Sequence, residues 1–307
     1  MEKMEISKQS IILKDMDYIA SNLNFNLNLF KDAKFLITGG GGFIGYYLVN
    51  FFFYLDKKKL LKKNSKIVIW DSFIRGKPQW LESISKKSNK IHIKKINIST
   101  YKISKKLDFD YIIHSASIAS PTFYRKYPIE TMDANVWGLR NLLDFALIKS
   151  KTKKRVKGFL YFSTSEIYGN PDKTNIPTKE NYNGNVSCVG PRSSYDESKR
   201  FGETLCVNFS KEHKLPIKIV RPFNNYGPGL KLKDKRLIPD IMNNILSKKN
   251  ITIYSDGSPT RTFCYIADAI HGYLNALIIG KSGDYYNIGN DQDEITVKNL
   301  VKKIIFL

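Results

Sequence analysis

The chain has 307 residues, 42% of them hydrophobic, enough to bury a large core either as one α/β unit with an elaboration or as two small domains. Its formal charge of +22 comes mainly from Lys, with only nine Arg, scattered through tracts such as Lys57–Lys58–Lys59 and Lys153–Lys154–Arg155. That scatter suits solvated faces and an anionic small-molecule partner, and it argues against nucleic acid, whose binders gather Arg and aromatics on one face. Cys188, Cys206 and Cys264 are far apart and odd in number, and the four His lack ligand spacing, so neither a disulfide framework nor a metal site is expected and a cytoplasmic location fits.

Residues 1–31 mix charges with apolar residues and predict an N-terminal extension with some helix and no secretory signal. KFLIT at 34–38 reads as the first strand, and FIGYYLVNFFFYL at 43–55 as a buried helix too short to span a bilayer, so no membrane partner is expected. KIVIW at 66, YIIHS at 111, GFLYF at 158 and IKIV at 217 read as further strands, with helices at 129–149 and 194–213 between them. This alternation predicts a Rossmann-type, doubly wound parallel α/β sheet over residues 32–222, and the nearly continuous apolarity of the strands says that both faces are covered. After Pro222, loops, a helix near 238–248 and short strands predict a smaller C-terminal region at 223–307 laid over one edge of the sheet, to which the family resemblance given below assigns substrate binding.

The first strand runs into TGGGGFIG, in which Gly39, Gly42 and Gly45 keep a G-x-x-G-x-x-G spacing just before the apolar helix. Glycines there allow a tight turn and let backbone N–H groups and the helix N-terminus approach a pyrophosphate. Asp71 ends the second strand, where a carboxylate can accept both hydroxyls of a ribose and would repel a 2′-phosphate, so NAD is favoured over NADP.

Tyr195-Asp196-Glu197-Ser198-Lys199 sets a phenol and an ammonium one helical turn apart. A neighbouring Lys⁺ and a cationic nicotinamide would lower the phenol pKa, making Tyr195 a base for a sugar hydroxyl. With 41 Lys and 18 Tyr the spacing alone is weak, and Tyr54/Lys58 and Tyr101/Lys105 share it. Only the third pair follows a strand that ends in hydroxyls, at Thr164 and Ser165.

From about residue 33 onward the chain resembles the extended short-chain dehydrogenase/reductases that act on nucleotide sugars. The resemblance rests on TGGGGFIG, IWDSFIRG, HSASIASP, NVWGLRNLL, STSEIYG, SYDESKR, RPFNNYGPG, DGSPTRTF and YNIGN, in the family's order. It implies a Rossmann domain holding NAD, a smaller region holding a nucleoside-diphosphate sugar, and a homodimer built on a helix bundle. It also implies cofactor contacts at Gly39, Gly42, Phe43, Ile44, Gly45, Asp71, Asn97 and Ala116, and roles for Tyr195 as base, Lys199 as its partner and ribose anchor, and Thr164 as donor to the sugar O4.

Within that family, 4,6-dehydratases usually carry Thr-Asp-Glu where this chain has Thr164-Ser165-Glu166, and 4-epimerases usually lack the carboxylate. Thr-Ser-Glu looks like the UDP-glucuronate decarboxylases, as do SIASPTFYRKYPIET and GPRSSYDESKR. The resemblance then implies catalytic roles for Thr164, Ser165, Glu166 and Arg261, the last two at C5, and sugar or diphosphate contacts at Tyr124, Asn224 and Arg261. A dehydratase, epimerase or C4 dehydrogenase is the alternative, and a non-catalytic binder the minor one. Asn97 stands where the family usually has an Asp that reads adenine, residues 1–31 have no counterpart in shorter members, and the chain stops at KKIIFL where relatives usually supply another diphosphate-binding arginine.

Overall fold

The computed structural model describes residues 2–253 and 255–306, with side chains from Ile11 onward. In chain order, α1 (Glu2–Asn22) leads to β1 (Lys34–Thr38), α2 (Phe43–Lys57), β2 (Lys66–Asp71), α3 (Gln79–Lys87), β3 (Ile91–Lys95) and β4 (Tyr111–His114). Next come α4 (Pro121–Lys126), α5 (Pro128–Ser150), β5 (Gly158–Phe162), α6 (Ser193–His213) and β6 (Ile217–Pro222). The last part holds β7 (Asn225–Tyr226), α7 (Leu237–Leu246), β8 (Thr260–Arg261), β9 (Cys264–Tyr265), α8 (Ile266–Ile279), β10 (Tyr285–Ile288), β11 (Ile295–Thr296) and α9 (Val297–Phe306).

Seven strands form one parallel sheet in the order β10-β6-β5-β4-β1-β2-β3. Successive side chains in a strand point to opposite faces, so an unbroken apolar run feeds two cores at once. Phe35, Ile37, Ile67 and Ile69 join the core shared with α2 and α8, while Leu36, Ile112 and Ile217 join the one shared with α5 and α6. Burying each such side chain is worth about 1.5–3 kcal/mol. The strand order reverses between β1 and β4, which opens a crevice beyond their C-terminal ends.

The predicted doubly wound sheet is therefore present, and the five predicted strands are all in it. The segment after Pro222 is shared between two places. α8 packs on the sheet and β10 pairs in parallel with β6, whereas α7, α9 and the β8–β11 ladder surround a separate small core of Ile241, Leu300 and Val301.

The N-terminal extension docks as a helix against α2 and α8, burying Met16 and Ile19. Asp15, itself buried, accepts hydrogen bonds from the Tyr47 hydroxyl at 2.7 Å and the Tyr265 hydroxyl at 2.9 Å. Among the described residues, no helix is long and apolar enough to cross a membrane.

Candidate active site

The crevice is a cavity of about 610 Å³, and all sixteen residues singled out from the sequence line it. The strand ends and helix starts around the switch point bring together segments as distant as Gly39 and Arg261.

On one side lies the glycine loop between β1 and α2. Gly39 has φ +75°, and a Cβ there would stand 2.6 Å from the Ala116 nitrogen, so no other residue fits without moving the backbone of the β4 loop. A Cβ at Gly45 would stand 2.5 Å from the Gly40 carbonyl oxygen, which is how the start of α2 closes onto the loop. Gly42 caps α2 without any side chain, leaving first-turn N–H groups, including those of Phe43 and Ile44, for an anion.

Asp71 sits over this loop, its Oδ2 accepting from the Gly41 N–H at 2.9 Å and its Oδ1 from the Phe73 N–H at 2.7 Å. Each oxygen keeps a lone pair for a further donor, so the carboxylate is held at the place where a ribose diol would meet it. The cradle and the carboxylate fit NAD. Asn97 also reaches the cavity, but its Oδ1 already accepts from the Ser99 N–H at 3.2 Å and hydroxyl at 2.8 Å. Asp71→Ala is expected to weaken NAD binding by about 10- to 100-fold and NADP binding far less, since it removes acceptors for the 2′-hydroxyl together with the charge that repels a 2′-phosphate. Equal losses in titrations of both cofactors would take Asp71 out of the ribose role.

The opposite wall is built by β5 and α6. Thr164 follows β5, caps the short 3-10 turn Ser165–Tyr168, and accepts from the Glu166 N–H at 3.3 Å. Tyr195 and Lys199, one turn apart on α6, are both buried. The Tyr195 ring lies flat on Tyr124, with centroids 5.0 Å apart and planes 8° from parallel. Tyr124 is itself buried, and its hydroxyl has no partner among the described residues, so it is available to a polar group of a ligand.

The electrostatics differ from the expectation that Lys199 lowers the Tyr195 phenol. Burial pushes Tyr195 up to about 12, against a hydrogen bond from Thr164 that acts downward. Burial likewise pushes Lys199 down to about 7, and its ammonium donates to the Phe162 carbonyl at 2.6 Å rather than to the phenol. Desolvation penalises each charge separately and is the largest influence on both groups. Lowering the phenol would therefore fall to the cationic ring of NAD, if that ring were held beside it.

Two sequence-predicted residues stand apart. Arg261 lines the cavity from exposed β8 and donates to the Thr260 carbonyl at 2.7 Å, and Asn224, in the left-handed region with φ 25°, donates to the Thr262 carbonyl at 3.0 Å. The cation on Glu166 is Arg192, a residue to which the sequence reading gave no role. Arg75 and Arg236, both on the cavity wall, share buried Asp234 at 2.7 and 2.5 Å, tying the loop after β2 to the start of α7.

A glycine cradle, an acidic ribose acceptor and a buried Tyr–Lys pair at the switch point of a parallel sheet define an NAD-binding α/β protein. The chain belongs to the NAD dependent epimerase/dehydratase family, which it matches over residues 35–289. It is 33% identical over 283 residues to UDP-glucuronic acid decarboxylase 1 of Arabidopsis thaliana, covering 90% of this chain and 59% of that protein. It is 34% identical over 283 residues to UDP-glucuronic acid decarboxylase 6 of the same plant, covering 89% of this chain and 75% of that protein. In fold it is similar to dTDP-glucose 4,6-dehydratase of Streptomyces venezuelae, solved with NAD bound, with TM-score 0.73, 23% identity and coverage of 89% of this chain and 80% of that one.

Proposed function

We propose that this protein oxidises UDP-glucuronate at C4 with NAD and releases the C6 carboxylate as carbon dioxide. The observation that carries this reading is the pair Ser165-Glu166 on the cavity wall directly after Thr164, in the cavity that Tyr195 and Lys199 also line. The decarboxylases named above add support through their similarity along the chain.

Bound NAD supplies the acceptor for the C4 hydride and can return it after carbon dioxide leaves. The protein's residues do the rest. Tyr195 takes the proton from the O4 hydroxyl, and Thr164 with Tyr195 holds the oxygen that becomes the C4 carbonyl. That carbonyl makes the glucuronate a β-keto acid. The C5–C6 bond then breaks, its electron pair passing through C5 to O4 as an enolate stabilised by the same two hydroxyls. Glu166, protonated from solvent, then delivers a proton to C5, which gains a second hydrogen in place of the lost carboxylate. Arg75, Arg236 and Arg261 give the cavity the positive wall that a nucleoside diphosphate needs.

Product masses test the assignment: UDP-glucuronate should give a product that has lost carbon dioxide. Loss of water from a UDP- or dTDP-hexose, with UDP-glucuronate left untouched, would replace the decarboxylase with the dehydratase alternative.

The assembly proposed is a homodimer through α5 and α6. This is supported by Ile129, Met132 and Trp137 on α5 and Phe201 on α6, large apolar side chains that are all exposed. Trp137→Glu should convert the protein to a monomer in sedimentation equilibrium, and a monomeric parent protein would remove the proposal.

A further inference from the structure

Resting on the decarboxylase reading, we infer that Arg192 and Asp196 are positioning residues for Glu166: Asp196 fixes the guanidinium, and the guanidinium fixes the Glu166 carboxylate on the cavity wall beside Tyr195.

The geometry is a chain of three charges spanning two elements. Arg192 caps the start of α6, where its carbonyl accepts from the Tyr195 N–H at 2.9 Å and the Asp196 N–H at 3.0 Å. Its Nε lies 3.3 Å from Asp196 Oδ2 one turn on, and its Nη2 pairs with Glu166 Oε2 on the turn after β5. A planar guanidinium can serve both carboxylates at once, whereas an ammonium is a point charge that cannot span them in a fixed plane. Asp196 is deeply buried, with 7% of its side chain exposed, and its Oδ1 has no partner among the described residues. A carboxylate left this short of donors is held in place by the one cation it has, and in return it anchors that cation. Glu166 and Arg192 are more open, at 40% and 38%, and both face the cavity.

The other charged or titratable groups around this chain are Tyr195 and Glu197 on α6, Tyr124 and Arg125 on α4, and Arg236 before α7. Of the cations, only Arg192 touches Glu166 among the described residues. The aim of Glu166 therefore depends on it.

The test is Arg192→Met, with Arg192→Lys and Asp196→Asn beside it. The Glu166 carboxyl is followed by carbon-13 NMR pH titration, assigned by difference from Glu166→Gln and run without substrate. Removing the guanidinium should raise the Glu166 midpoint by about 1–3 pH units. Carbon dioxide release from UDP-glucuronate should fall about 10- to 100-fold in kcat with KM changed less than about threefold, while C4 oxidation, seen as cofactor absorbance, persists. Arg192→Lys should keep the midpoint near that of the parent and still lose rate. Asp196→Asn should lose rate without raising the midpoint. An unmoved midpoint in Arg192→Met overturns the inference, and so does a loss confined to KM, which would make Arg192 a contact for substrate. A parent protein that releases no carbon dioxide would defeat the decarboxylase reading alone, because the titration tests the Glu166–Arg192 pair independently.

Discussion

Tyr195→Phe is expected to lower the rate of C4 oxidation by about 10²–10⁴-fold, the scale of a lost general base, while NAD binding changes little. The substitution removes one oxygen and keeps the ring, so the stack on Tyr124 and the buried packing of α6 stay in place. What goes is the proton acceptor, the phenol oxygen that Tyr195 brings to the cavity. Tyr54→Phe and Tyr101→Phe serve as controls because neither residue lines the cavity: Tyr54 bonds Asp17 of α1 at 2.5 Å, and Tyr101 packs its edge on Trp70.

The pH dependence follows from the same burial. The base works only when ionised, and the protein alone pushes the phenol up to about 12, so oxidation should speed up as pH rises and be lost as pH falls below the pKa of the phenol in the complex. Stopped-flow absorbance of the reduced cofactor against pH measures both effects. Oxidation at the parent rate in Tyr195→Phe would end the assignment of this residue as base.

The strands that were legible, β1, β2, β4, β5 and β6, are those whose both faces are buried and whose apolar runs are therefore hardly interrupted. β3, IHIKK, lies at the sheet edge, and its two terminal lysines are exposed, so it carries little apolar signal. β10, YYNI, closes the other edge more than sixty residues after β6, and its partnership is a tertiary fact that no local pattern encodes. α1 owes its place to a sparse stripe of Ile12, Met16 and Ile19 that means something only once α2 and α8 are there to receive it.

The site divides in the same way. Glycine spacing, the acid after β2 and the Tyr–Lys turn are local and could be read directly. Arg192 lay in plain view four residues before Asp196, but its link to Glu166 needs the intervening loop to fold back, which it does through Asn185 N–H to the Tyr168 carbonyl at 2.9 Å and Asn170 N–H to the Asn185 carbonyl at 3.2 Å. The pKa directions were illegible for a related reason. Spacing places Lys199 near Tyr195 but says nothing of the burial that dominates both groups.

Glu166→Gln should separate the two halves of the proposed reaction. The amide is nearly isosteric with the carboxylate and can still accept the hydrogen bond of a neighbouring donor, so the turn Ser165–Tyr168 and its Thr164 cap should remain. Tyr195, Lys199 and Thr164 are untouched, so C4 oxidation should proceed and the absorbance of the reduced cofactor should appear on mixing with UDP-glucuronate. Carbon dioxide release should then fall by about 10²-fold, since no carboxyl is left to carry a proton to C5. The variant also removes the negative charge that faces Arg192, leaving that guanidinium to Asp196 at 3.3 Å and to the substrate. UDP-glucuronate should accordingly bind at least as tightly as before, because a guanidinium relieved of one of its two carboxylates attracts another. A variant that loses oxidation and carbon dioxide release to the same extent would place Glu166 in the first step, beside Tyr195, and would remove it from protonation of C5.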